Sequence, residues 1–449
     1  MEITLNKKNN TEGLIKIKLT EGDYQPKVEE KIKDYARKAN IKGFRAGKVP
    51  NGVVRKMFGK SILVDEINHM LSHKLTDYIK DNNIKILGEP LPNLESANTI
   101  NWETQKDFEF EYQIGMVDDF KYDVSSKVKV KSYPIEIDNK TIDETIGDLK
   151  KRFGKVSYPE TSEAGDNLFG ELRAAESDWK KEAAFIPTEK VDAKELKKFV
   201  GVKKEDDVEF DLKKAFTEES TIATILGVTA EEAKAAKGKY IFKVNTISRV
   251  EPAAVNEELF DRVFGAGVVK TEEEFLNKVK DTIKENYNRE SDHFLEHNIE
   301  DYFVENTKIE LPDTFLKSWL KASSKGEVTD GVLDNEFGAY SRSIKWDLVK
   351  NRIADDNNIK VEADEVRQKA KELIMGQFGG GQGFAEQLGD KLDAIADNYL
   401  SGENGQNFMK IYNQLRNERI LKFIKENITI QDKKVSVDEF KKIVEEHKH

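Results

Sequence analysis

The sequence predicts a multidomain α+β protein in three parts: an α+β domain, a small β-rich domain and a long helical C-terminal domain. Three observations carry that expectation. A chain of 449 residues exceeds the roughly 100–200 residues of a usual domain. The segments "GLIKIKLT", "DFEFEYQIGMV" and "GKYIFKVNTISRV" alternate along the chain as half-buried strands do. After the last proline, Pro312, helical patterns are interrupted only by polar or glycine-rich turns such as "KGEVTDG" and "DDNNIKVEAD".

Taken in order, Ile15, Ile17 and Leu19 share one strand face, and "KKNNTEG" before them supplies turn residues, so Ile3–Leu5 and Leu14–Leu19 should pair as a hairpin. Pro26 suits the first turn of a helix in which Val28, Ile32, Tyr35 and Ala39 recur. A second helical pattern runs through Ile62, Leu63, Ile67, Met70, Leu71, Leu75 and Ile79. Between these helices lies the loop "IKGFRAGKVP". Alternating Phe108, Phe110, Tyr112 and Ile114 then close a first domain, residues 1–116. Residues 117–149 begin as an extended, charged linker in which Pro134 breaks any helix. Residues 150–250, with strand-like "DDVEFDL" and "GKYIFKVNTISRV", form the β-rich domain, and residues 251–449 the helical one.

Composition narrows the function classes. With 38% hydrophobic and 35% charged residues, an extended body with a thin core is expected. The absence of cysteine excludes disulfides, Cys-based zinc sites and thiol nucleophiles, and points to a reducing, cytoplasmic setting. "MEITLNKKNN" has no apolar signal region, and no run approaches the roughly 20 apolar residues of a membrane span, so export and membrane insertion are not expected. The net charge is −11, yet residues 31–60 hold ten Lys or Arg against one acid, Asp34. That local excess suits docking on phosphate-rich or acidic surfaces.

Residues 43–50, "GFRAGKVP", begin a set of ordered matches that continues through "FEFEYQIGMVDDF", "NEELFDRVFGAGVVKTEEEFLNKVKDTIKE" and "IELPDTFLKSWL". Together they resemble the trigger factor family of bacterial ribosome-associated chaperones. The resemblance implies a ribosome-docking N-terminal domain, a middle domain like the FK506-binding prolyl isomerases, and an elongated all-α C-terminal domain whose two arms cradle nascent chains. It also implies that Gly43, Phe44, Arg45, Gly47, Lys48 and Pro50 bind the large ribosomal subunit near the exit tunnel. Arg45 and Lys48 would meet phosphates or acidic side chains, Gly43 and Gly47 would permit unusual backbone angles, and Phe44 would be the apolar anchor. Ala46 stands where the family often has a basic residue. From the residues alone, Phe44 packed on its own domain beside a solvated basic face is an equal reading. The family's off-ribosome homodimer is a partner that the resemblance leaves open.

The isomerase pocket fits less well. "VDAKELKKFVGVKKEDDVEFDL" lacks the family's Pro-Gly-Phe-Glu turn, and Thr217 follows Phe216 where the family has proline. An isomerase of this type binds proline in an aromatic pocket and favours the twisted amide, with no acid–base pair. The expectation is therefore a retained fold with an eroded pocket and no catalytic residue. Trp179, Phe185 and Phe199 are the candidates for a residual lining, with structural-core or linker roles favoured.

In the helical domain Phe315, Trp319, Phe337, Tyr340 and Trp346 are candidate contacts for unfolded chains, and each has helix-packing core as its alternative, which exposure decides. His69 and His73, like His293 and His297, are four apart, a spacing that can present two imidazoles to one metal, but surface or core histidines are the favoured reading and no cofactor or metal is expected. "GQFGGGQGF" lacks the Lys-Ser/Thr of a phosphate loop and reads as an arm tip or helix connection, consistent with ATP independence. The leading expectation is an ATP-independent holdase at the ribosomal exit tunnel. The alternatives are an isomerase acting by catalysis at X-Pro bonds and an RNA-binding adaptor using residues 31–60.

Overall fold

Strand alternation at the N-terminus becomes a hairpin. In the computed structural model, which describes residues 1–42, 44–45, 47–324, 326–377 and 391–447, β1 (Glu2–Lys7) and β2 (Glu12–Leu19) pair antiparallel, with Ile3 opposite Ile17 and Leu5 opposite Ile15. The Asn9 side chain closes the turn by accepting the Thr11 and Glu12 amides at 2.8 and 2.6 Å. Helix α1 (Glu21–Lys38) starts at Glu21 rather than at Pro26, because Thr20 and Asp23 cap it reciprocally and leave Pro26 inside the helix. Its buried stripe is Tyr24, Val28, Ile32 and Ala36, so Tyr35 falls outside it and is exposed. Helix α2 (Asn51–Asp81), β3 (Ile86–Pro92), the short α3 (Leu94–Asn98) and β4 (Phe108–Met116) complete an antiparallel sheet of order β1-β2-β4-β3. One sheet face and the two long helices share a core that includes Ile15, Ile17, Ile32, Ile67, Phe108 and Ile114. On the polar face Lys16 pairs with Glu109 and Glu111 of the neighbouring strand.

The extended segment after Met116 carries β5 (Lys129–Ser132) and β6 (Ile135–Glu136), then α4 (Asn139–Arg152). The second sheet contains β7 (Lys155–Ser157), β8 (Asn167–Ala174), β9 (Lys180–Pro187), β10 (Asp207–Asp211) and β11 (Lys239–Glu251). Its order is β10-β11-β8-β9, with β7 beside the end of β11. Short helices α5 (Leu212–Ala215), α6 (Glu219–Leu226) and α7 (Ala230–Ala235) accompany it, and its core includes Leu168, Ile186, Phe199, Phe210, Phe216 and Phe242.

Helices dominate the chain after Glu251: α8 (Glu257–Phe264), α9 (Glu272–Asn306), α10 (Asp313–Ser323), α11 (Asp330–Asp356), α12 (Ala363–Gln377), α13 (Lys391–Ser401) and α14 (Gln406–Asn427). The pattern after Pro312 predicts helix throughout, and the C-terminal segment departs from it. β12 (Thr429–Asp432) and β13 (Val435–Ser436) precede α15 (Val437–His447), and they pair in parallel with β5 and β6 respectively. The β-branched residues of "NITIQDKKVSV" favour strand over helix once partner strands are available.

By packing, the chain forms two units, Met1–Ser132 with Phe294–Asp432 and Tyr133–His293 with Lys433–His449. In the first, Val128 and Val130 join Ile299, Phe303, Trp346, Val349, Ile420 and Ile424 in one core, and α12, α13 and α14 share another around Val366, Ala370, Ala396 and Ile411. In the second, Ile142, Phe260, Phe275 and Val279 pack α4 with α8 and α9.

Helix α10 sits on the N-terminal sheet where that sheet lacks side chains. A Cβ at Gly115 would collide with the Phe315 ring and Pro312, and one at Gly88, where φ is +73°, would stand 3.0 Å from the Trp319 indole. Gly115→Ala should therefore cost about 1–3 kcal/mol in urea unfolding through overpacking, and adding Phe315→Leu should recover part of it. An unchanged midpoint for the single variant would contradict this close approach.

In the second sheet Asp166, with a side chain only 2% exposed, accepts from Arg249 Nε and Nη2 at 2.8 Å each and from the Glu163 amide at 2.7 Å. Burial, the largest single influence, raises the carboxyl pKa, but the Arg249 hydrogen bonds, the Glu163 amide and the Arg249 charge together outweigh it and hold the group below its usual 3.8. The associated stability is present above that usual value and is lost as pH falls through the lower folded one. Asp166→Asn should lower stability by about 2 kcal/mol at neutral pH and flatten the acid limb. Trp179 fluorescence during urea unfolding, with Trp102, Trp319 and Trp346 changed to Phe, reads both effects.

Candidate functional site

The loop between α1 and α2 is fixed at both ends and turned twice between them. The Ala39 amide donates to the Tyr35 carbonyl at 2.7 Å, ending α1, and Pro50 stands at the N-cap of α2 with φ −64°. Within the loop the Phe44 amide donates to Ile41 O at 3.0 Å and the Lys48 amide to Arg45 O at 2.9 Å. Gly47 adopts φ +75°, where a Cβ would lie 3.2 Å from the Arg37 carbonyl, so the second turn needs a residue without a side chain. Gly43 and Ala46 lie outside the described residues.

These turns bury Val49 in the domain core and leave Phe44 40% exposed. Arg45, Lys48 and Pro50 are exposed with it. Around them Lys31, Lys33, Arg37, Lys38, Lys42, Arg55, Lys56 and Lys60 are exposed as well. Arg37 pairs with Asp34, Arg55 with Glu29 and Lys60 with Glu103, whereas Lys42, Arg45 and Lys48 make no ion pair among the described residues. The result is an apolar ring among cations with no internal counter-ion, able to contact a surface that offers both anions and an apolar recess. Two further groups on the flanking helices are exposed: Tyr35, which the sequence pattern places on the apolar stripe of α1, and Met57, which the sequence reasoning does not mark. The four-residue spacing of Tyr24, Val28, Ile32 and Ala36, which leaves Tyr35 off the buried stripe, is the available signal for the first.

The five candidate chain-binding aromatics divide. Phe315 is 4% exposed and Trp346 8% exposed. Phe315 is spent on the Gly115 contact, and Trp346 stacks on Phe303 at 6.1 Å, so both are core residues rather than surface contacts. Trp319, Phe337 and Tyr340 are half-buried. Trp319 covers Gly88, while Phe337 and Tyr340 lie 6.3 Å apart on α11 with the Lys317 ammonium 4.8 Å from the Phe337 ring. Beyond Gln377 the glycine-rich stretch is outside the described residues.

The three candidate pocket residues of the β-rich domain have different surroundings. Phe199 is fully buried against Phe210 and Phe216, at ring separations of 5.2 and 6.5 Å. Phe185 projects from the opposite face of its strand to buried Ala184 and Ile186, and meets exposed Phe169 at 5.1 Å. Trp179 stands edge-on to Tyr240 at 5.8 Å. Among the described residues no group of three or more His, Asp or Glu side chains is gathered as metal ligands, and no helix is long and apolar enough to cross a membrane.

Comparison with known proteins covers nearly the whole chain. Residues 1–149 match the family described as bacterial trigger factor protein, residues 156–252 the FKBP-like domain of probable trigger factor, and residues 291–444 its C-terminal domain. Among curated relatives, trigger factor of Pelagibacter ubique is 22% identical over 100% of this chain and 90% of its own length. That of Rickettsia massiliae is 21% identical over 99% and 98%. A solved structure of the trigger factor chaperone, described for promiscuous substrate recognition in folding and assembly, is 18% identical with a TM-score of 0.43, covering 95% of this chain and 100% of its own.

Gly47→Ala should cost about 1–2 kcal/mol at this left-handed position, and Gly47→Asn less. Hydrogen exchange at the Ala39 and Lys48 amides should speed up in the alanine variant, and unchanged rates would mean that the second turn does not depend on Gly47.

Proposed function

The chain belongs to the trigger factor family of chaperones, and from that membership we propose that it is a cytoplasmic, ATP-independent chaperone that docks at the exit tunnel of the large ribosomal subunit and shields emerging polypeptides. The observation that carries the docking half is the exposed Phe44 ring beside Arg45 and Lys48, cations without internal partners among the described residues, in the domain that matches the family's N-terminal part. Charge brings the loop to ribosomal phosphates or acidic side chains, and the ring then adds an apolar contact that does not weaken with salt. Gly47 serves the loop's second turn, and Pro50 fixes where α2 begins.

For shielding, the proposal relies on Trp319, Phe337 and Tyr340, whose half-exposed rings offer weak apolar contacts amid abundant charge. Weak, scattered contacts suit a partner of no fixed sequence, since affinity is spread over many exchangeable interactions. The FKBP-like domain contributes binding rather than catalysis. Its aromatic interior is filled by Phe199, Phe210 and Phe216, and Thr217 replaces the family's proline.

Co-sedimentation with salt-washed bacterial ribosomes tests the docking half. The intact protein should pellet, and Phe44→Ala/Arg45→Ala should bind at least tenfold more weakly, a loss of about 1.4 kcal/mol or more, with unchanged circular dichroism. Equal pelleting would remove the loop from the mechanism. If neither form pellets, docking itself is wrong, and suppression of aggregation by the free protein becomes the property that remains to be measured.

A further inference from the structure

Four of the chain's six histidines occur in pairs spaced four residues apart, and one pair stands out in the folded protein. His69 and His73 lie on the solvent side of α2, opposite buried Ile67, Met70 and Leu71. Both are exposed, and their rings meet edge-on with centroids 4.6 Å apart. Neither makes a hydrogen bond or an ion pair with another described residue. The pair therefore contributes nothing visible to the domain's packing or to its charge network.

We infer that His69 and His73 form a two-imidazole chelate for a borderline divalent metal ion of the zinc and nickel class. One helical turn separates the side chains, a spacing at which two imidazoles on one face reach a common ion, as paired helical histidines do in zinc sites. Neutral imidazole nitrogen selects zinc, nickel, copper or cobalt over magnesium and calcium, which take oxygen ligands. No third His, Asp or Glu ligand is gathered with them among the described residues. Water completes the coordination shell, so the ion is held loosely and exchanges freely, unlike the closed four-ligand sites that fold around their metal. Because the folded helix presents the two rings together and an unfolded chain does not, bound metal favours the native state of α2. Metal binding at this pair is independent of ribosome docking and of chain shielding.

The test uses the full chain, stripped with a chelator, titrated with zinc chloride or nickel chloride and, separately, with magnesium chloride in an isothermal calorimeter. Zinc and nickel should each show a one-to-one component that magnesium lacks. His69→Ala and His73→Ala should each weaken it at least tenfold, while His293→Ala/His297→Ala and His447→Ala/His449→Ala leave it in place. Because both alanine changes are on an exposed helix face, circular dichroism should be unaltered. Thermal unfolding of the wild type should rise with added zinc, and that rise should vanish in the two single variants. The inference is overturned if the component survives in either single variant, disappears only with the other histidine pairs, or is matched by magnesium.

Discussion

The parallel pairing of residues 129–136 with residues 429–436 is the constraint on which both packing units depend. β5 and β12 close the first unit, and β6 and β13 close the second. Each is a short ladder between segments about three hundred residues apart in sequence. Closing so long a loop costs only slightly more entropy than closing one of half its length, because the penalty grows with the logarithm of loop length. The side chains around each ladder meet that cost. Val128 and Val130 enter the apolar core of Ile299, Phe303, Ile420 and Ile424. Asn298 donates to the Lys131 carbonyl at 3.0 Å, and Thr429 to the Ser126 carbonyl at 2.7 Å. In the other unit Lys434 pairs with Glu136 at 2.8 Å, an exposed contact worth little by itself.

Long-range closure also divides the chain's tasks. The N-terminal sheet and its two helices build their core entirely from residues before Val117, so the candidate docking loop rests on a core that this domain forms from its own residues. The helical segments instead draw on distant partners, including the connector. Aromatic residues there divide between filled cores and partly open positions, the half-buried ones among the described residues including Trp319, Phe337, Tyr340, Phe408 and Tyr412. Phe303, Phe315 and Trp346 are consumed by packing.

How much of the molecule is legible in its sequence depends on the range of each interaction. The hairpin, β4 and β11 are readable because a strand with one buried face writes its alternation directly into the sequence. The start of α1 is not, because Pro26 is a local signal that competes with a stronger one, the Thr20 and Asp23 cap, just upstream. β12 and β13 are invisible because their partners lie far away in sequence, and a short β-branched run beside a helix is ambiguous without them. For the site, the loop motif gives Phe44, Arg45 and Lys48, and the fold leaves all three exposed. Phe315 and Trp346 mislead because an aromatic residue on a helix announces burial without saying against what. The glycines that receive α10 cannot be assigned from sequence, since Gly88 and Gly115 matter only for what approaches them from α10.

Those two glycines carry a consequence for interchangeability. Phe315 and Trp319 fit a surface defined by missing side chains, so the N-terminal domain and α10 form a matched pair in the way that a key matches its own lock. An N-terminal domain transplanted from a relative would keep its own fold, since its core is self-contained. It would seat on this helix only if it too were bare at both positions, or if the two rings were trimmed with it. Sequence divergence in this part of the molecule is therefore tied: a residue gained on the sheet has to be answered by volume lost on the helix.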